Sequence, residues 1–116
     1  MGEDKRFSLE GIYAALMTPY TDKGKIDQNK LKEFLNFYEK ADIEGVFAVS
    51  NIGEFAALSY EEKEEIIRTC RENRGEKLKI IPGVSDLNPD NSLRLAYFCE
   101  KCQMDAVVLS APYYYP

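Results

Sequence analysis

Gly45-Val46-Phe47-Ala48-Val49, followed by Ser50-Asn51-Ile52-Gly53-Glu54, decides the fold. An unbroken apolar run of this length reads as a strand buried on both faces, the kind found in parallel sheets. A tight turn at the carboxyl end of such a strand exposes several backbone N–H groups at one point, which is where α/β proteins build ligand sites. Gly53 permits backbone angles closed to other residues. The amides of Asn51 and Ile52 could converge on a carboxylate, as in a backbone nest. An ordinary strand-to-helix turn needs such a glycine too, so the turn alone leaves both readings open.

The same alternation extends in both directions. Gly11 to Met17 is an apolar run ended by Thr18-Pro19 and reads as a first strand. Asp27 is a candidate N-cap for a helix to about Ala41, with Leu31, Phe34, Leu35 and Tyr38 on one face. Ser59-Tyr60-Glu61-Glu62 spells a capping box opening a helix to about Asn73, with Ile66, Ile67 and Cys70 inward. Leu78 to Val84 is a third strand. Asn88-Pro89 is an N-cap followed by proline and opens a third helix, its inner face Leu95, Phe98, Cys99 and Cys102. Ala106 to Ser110 reads as a fourth strand, leading into Pro112-Tyr113-Tyr114-Tyr115-Pro116. Asp42 and Gln103 fall where the chain leaves a helix through a left-handed residue.

The order β-α-β-α-β-α-β, repeating about every 30–35 residues, implies a parallel sheet with right-handed crossovers. Doubly wound sheets and (β/α)8 barrels both use such units. A complete barrel needs roughly 250 residues, so 116 residues would supply half of one. The strands that end such a half sheet carry unpaired edges, which pair or aggregate. A flavodoxin-like nucleotide domain is disfavoured because neither Gly-x-x-x-x-Gly-Lys nor Gly-x-Gly-x-x-Gly occurs.

Composition narrows the chemistry. A net charge of −5 with mixed signs disfavours nucleic acid or an anionic membrane as the main partner. No apolar run approaches the ~20 residues that cross a bilayer, and no secretory signal is expected behind Met1 to Arg6. Histidine is absent, so His-based triads and His-Glu-x-x-His zinc sites cannot form from these residues. Three cysteines, an odd number, suit reduced thiols in a cytoplasm. Cys99-x-x-Cys102 lies late in a helix on its inward face, and only Cys70 remains as a further thiol; core packing is expected, with no metal and no cofactor. Of the lysines, Lys79 lies early in its strand, Lys101 at a helix end, and Lys23 and Lys25 in a polar loop; none has the setting of a Schiff-base nucleophile. The tyrosine run could relay protons or pack at a subunit contact.

Taken together, these motifs resemble the N-terminal half of the dihydrodipicolinate synthase / N-acetylneuraminate lyase family, over about Gly11 to Pro116. The likeness is carried by Ala15-Leu16-Met17-Thr18-Pro19-Tyr20, Gly24-Lys25-Ile26-Asp27, Gly53-Glu54-Phe55 with Leu58-Ser59 and Glu62, Pro82-Gly83-Val84, Asp105-Ala106-Val107 and Pro112-Tyr113-Tyr114. It implies a (β/α)8 barrel, with residues 1–116 as its N-terminal half. It also implies class I aldolase-type chemistry, in which a lysine on the sixth strand forms a Schiff base with pyruvate or another 2-oxo acid. That lysine, and a tyrosine after the fifth strand, correspond to positions beyond Pro116, so this chain alone is expected to be inactive.

Within the chain, the resemblance implies that Ser50, Asn51 and Ile52 line the carboxylate site. Asn51 stands at the first hydroxyl position of the family turn, which joins the proton relay, and Ile52 at the second. It implies that Tyr114 reaches into a neighbouring subunit's site, hence a homo-oligomer. Tyr115-Pro116 is closer to the neuraminate lyase branch. The alternative is a non-catalytic half-barrel that self-associates or binds a partner or ligand.

Overall fold

A computed structural model of the protein describes residues 8–111. Three strands, β1 (Tyr13–Ala15), β2 (Gly45–Ala48) and β3 (Lys79–Pro82), alternate with three helices, α1 (Gln28–Lys40), α2 (Tyr60–Asn73) and α3 (Pro89–Lys101). The strands pair in parallel in the order β1-β2-β3, with Ala14 opposite Val46 and Val46 opposite Ile80. Consecutive helices touch one another, and α1 and α2 also touch β2 and β3, respectively. Strands laid down in sequence order, with helices in one layer, make an arc that curls toward a barrel; a doubly wound sheet reverses its order partway.

Each helix begins where the sequence marks it. Asp27 accepts from the Lys30 N–H, Ser59 and Glu62 bond reciprocally as a capping box, and Asn88 accepts from Asp90 ahead of a helix opened by Pro89. Asp42 and Gln103 take the left-handed conformation after α1 and α3, at φ 59° and 58°. Leu31 and Leu35 of α1, Ile66 and Ile67 of α2 and Leu95 of α3 are buried against Val46, Ala48 and Ile80. Each such side chain contributes roughly 1.5–3 kcal/mol. Burial also pushes the thiols of Cys70 and Cys99 up to about 12, so both are neutral packing groups.

The expected fourth strand is not a strand. Residues 106–110 run beside β3 but share one parallel bridge with it, Gly83 to Val108. The Val84 N–H donates to the Val108 carbonyl and the Val108 N–H to the Pro82 carbonyl, both at 2.9 Å. The ladder fails on either side for identifiable reasons. Pro82 has no N–H to give to residue 106, and the Ser110 N–H turns to the Ser85 hydroxyl at 2.8 Å instead of a backbone carbonyl.

At the amino end of the sheet Lys79 pairs with Glu44, and the Asp105 carboxylate accepts from Arg74 and the Ile80 N–H. These contacts tie strands to loops and leave the carboxyl end as the open one. Among the described residues no helix is long and apolar enough to cross a membrane.

Candidate functional site

The carboxyl ends of the strands surround a cleft of about 200 Å³. Its floor is Ala15, Phe47 and Gly83, and its rim is Ser50, Asn51 and Ile52 on one side and Ser85, Val108 and Ser110 on the other. The volume is below the ~300–1,000 Å³ usual for drug-sized ligands and suits a small organic acid.

The turn at Ser50 is a closed local unit. Glu54 N–H donates to the Asn51 carbonyl at 2.9 Å, Phe55 N–H to the Ser50 carbonyl at 3.1 Å, and Gly53 N–H to the Ser50 hydroxyl at 3.2 Å. From outside, the Thr18 hydroxyl donates to the Gly53 carbonyl at 2.7 Å, anchoring the turn to the end of β1. The Asn51 and Ile52 N–H groups donate to no protein acceptor among the described residues. Two unspent amides in sequence at the rim of a cleft are what an anion needs.

Backbone strain concentrates here. Val49 sits at φ 56° and Glu54 at φ 61°. A β-branched residue in that region is an outlier costing roughly 1–2 kcal/mol, and such strain gathers at functional sites. Gly53, by contrast, is not among the residues at positive φ, so the expected reason for it is corrected. A Cβ there would lie 2.9 Å from the Leu16 carbonyl oxygen and 3.1 Å from the Thr18 hydroxyl. Glycine is required by close approach, not by its torsion angles.

Ser50 is buried, while Asn51 and Ile52 are exposed at the rim. Tyr114 lies outside the described residues, as do Tyr113 and Tyr115. Sequence reading missed Phe55 and Ser85, which also line the cleft, and the group behind them. Lys63 is 3% exposed, its ammonium donating to the Ser85 carbonyl at 3.1 Å, pairing with Asp86 at 3.4 Å and lying 5.7 Å from the centre of the Phe55 ring. The signal was available: Lys63 precedes Ile66, Ile67 and Cys70 by three, four and seven residues, so it shares their inward face. Burial acts to raise the Asp86 carboxyl. The Asn88 N–H at 2.8 Å and the Lys63 ammonium outweigh it and hold that group below the usual carboxylate range.

Known proteins share this fold. The model of the dihydrodipicolinate synthetase family matches residues 8–116. The 4-hydroxy-tetrahydrodipicolinate synthase of Bartonella tribocorum is 35% identical over 106 residues, 91% of this chain and 36% of its own length. The crystal structure of N-acetylneuraminate lyase from Mycoplasma synoviae superposes with a TM-score of 0.86 at 30% identity, covering 91% of this chain and 37% of that one. YagE, a prophage protein of the dihydrodipicolinic acid synthase family from E. coli K12 solved in complex with pyruvate, superposes with a TM-score of 0.88 at 25% identity, covering 93% and 37%. The chain therefore spans little more than a third of the relatives it matches. Its fold is part of a (β/α)8 barrel, and the chain belongs to the dihydrodipicolinate synthetase family.

Proposed function

We propose that residues 1–116 form the N-terminal half of a Schiff-base-forming lyase or aldolase acting on pyruvate or another 2-oxo acid. The observation that carries this is the pair of unspent amides, Asn51 and Ile52, at the rim of a small cleft on the carboxyl ends of parallel strands. In this reading the two N–H groups and the Ser50 hydroxyl hold the carboxylate. Asn51, which can hydrogen-bond but does not relay protons as a hydroxyl does, orients the acid. Tyr114 serves proton transfer, in a neighbouring copy of a homo-oligomer. A lysine amine condenses with the 2-oxo carbon and releases water; the protonated imine then takes up the electron pair of the carbon–carbon bond that breaks. That lysine is not supplied by residues 1–116. The free thiols of Cys70, Cys99 and Cys102 accord with a cytoplasmic setting.

The reading is tested by incubating the 116-residue chain with pyruvate and borohydride. Its mass is expected to stay unchanged, while a polypeptide continuing through a sixth strand gains one reduced pyruvyl group. An adduct on a lysine of the short chain would falsify the assignment of the nucleophile.

A second reading, a non-catalytic half-barrel that pairs with a second copy of itself, is favoured by the open flanks. Ile12 beside β1 is 70% exposed and Leu109 beyond the Val108 bridge is 67% exposed. Leu87, Leu93 and Leu109 line an apolar groove of about 380 Å³ next to α3. Among the described residues neither β1 nor the 106–109 segment has a partner on its outer side, and both run in the same direction, so the β1 edge of one copy can continue the 106–109 edge of another. Sedimentation of the short chain is expected to give a dimer; a compact soluble monomer removes this reading.

A further inference from the structure

Neither residue 51 nor residue 52 carries a hydroxyl, yet the cleft holds two buried ones. Ser50 and Ser85 are 4% and 6% exposed and both line it. Each hydroxyl oxygen already accepts one backbone N–H, Ser50 from Gly53 and Ser85 from Ser110. An accepting hydroxyl keeps its own proton to donate, and among the described residues neither proton has a protein acceptor. Buried hydroxyl protons do not go unpartnered without cost, and two of them beside two unspent amides make a donor set suited to an anion.

Ser85 is also held from behind. Its carbonyl accepts from the buried Lys63 ammonium at 3.1 Å, and that ammonium pairs with Asp86 and stands over Phe55. One side chain of α2 thus ties the loop after β3 to the wall formed by Phe55. Ser85 in turn fixes the third wall through Ser110 at 2.8 Å. A hydroxyl anchored through both its carbonyl and its oxygen is preorganised and needs no ordering when a ligand arrives.

We propose that Ser85 is a substrate-binding residue that donates its hydroxyl proton to the carboxylate of the 2-oxo acid opposite the Asn51–Ile52 amides, and that Lys63 is the residue that positions it. This rests on the carboxylate site assigned above. It is tested on the 116-residue chain, labelled with 15N, titrated with pyruvate and separately with pyruvamide, its uncharged isostere. Wild type binds pyruvate. Ser85→Ala weakens pyruvate about tenfold or more, as a lost hydrogen bond to a charged group does, and leaves pyruvamide within about threefold. Ser85→Thr retains pyruvate binding. Ser85→Cys, which keeps the volume but donates poorly, behaves as Ala and replaces it if Ala does not fold. Equal losses for both ligands, or none, overturn the role of Ser85 alone. Failure of wild type to bind pyruvate overturns the carboxylate site with it.

Discussion

Gly83→Ala is expected to unfold the chain at a markedly lower urea concentration with an unchanged m-value, a loss of about 2–4 kcal/mol. A Cβ at Gly83 would lie 2.5 Å from the Val49 carbonyl oxygen and 3.2 Å from the Phe47 ring. Overpacking of this kind typically costs 1–3 kcal/mol, and more where backbone has to yield. Here it cannot yield freely. The Gly83 N–H is bound to the Ala48 carbonyl at 2.8 Å, and Val49 is already held in the left-handed region. Against a typical total of 5–15 kcal/mol this is a large fraction. Gly24→Ala is the control: nothing lies within 4 Å of its added Cβ, and only its φ of 78° penalises alanine. That variant should lose about 1–2 kcal/mol. Equal midpoints for the two variants would mean that β2 and β3 do not approach as closely as described. Because Gly83 also floors the cleft, Gly83→Ala should abolish the pyruvate binding proposed above in whatever fraction remains folded.

Much of this architecture was legible because local signals and tertiary packing agree. The capping box at Ser59, the Asn88-Pro89 start and the left-handed exits at Asp42 and Gln103 are all decided within a few residues, and each appears where the sequence puts it. The fourth strand was misread because its composition is that of a strand while its partner is unsuited to it. Apolar residues at 106–109 say nothing about Pro82 lacking a donor opposite them, or about Ser85 capturing the Ser110 N–H. Pairing is a property of two segments, and one segment's pattern reports only half of it.

The site divides along the same line. Ser50, Asn51 and Ile52 are adjacent in sequence and were found as a turn after an apolar strand. Thr18, Lys63 and Ser85 reach it from three other segments, and their roles depend on contacts spanning 35 residues from Thr18 to Gly53 and 22 from Lys63 to Ser85. Gly53 was identified correctly but for the wrong reason. Its need for space comes from the Leu16 carbonyl, a neighbour that exists only after β1 and β2 are paired. Val49 gave no warning, since a β-branched residue in a left-handed conformation runs against propensity and persists only because its surroundings impose it.

The buried pair behind the cleft yields an asymmetric expectation. Asp86→Ala should destabilise the chain by about 3 kcal/mol, and Lys63→Met by about 1 kcal/mol or less. Lys63 is 3% exposed at its side chain and Asp86 19%. Removing the carboxylate strands a buried ammonium that, among the described residues, keeps the Ser85 carbonyl and the Phe55 ring, the situation that costs 3–5 kcal/mol in other proteins. Removing the ammonium leaves a carboxylate that water reaches and that the Asn88 N–H still satisfies, while methionine refills the apolar stem's place beside Phe55. The pH dependence follows from the same pair. The folded Asp86 carboxyl is held low, so its contribution is present above the unfolded value of about 3.9 and is lost as the pH falls through the lower folded value. Wild type should therefore lose stability on acidification below about pH 4 more steeply than Asp86→Ala. If the two single variants cost the same and titrate alike, Lys63 is not held by Asp86, and the account of how the Ser85 loop is anchored fails while the cleft itself stands.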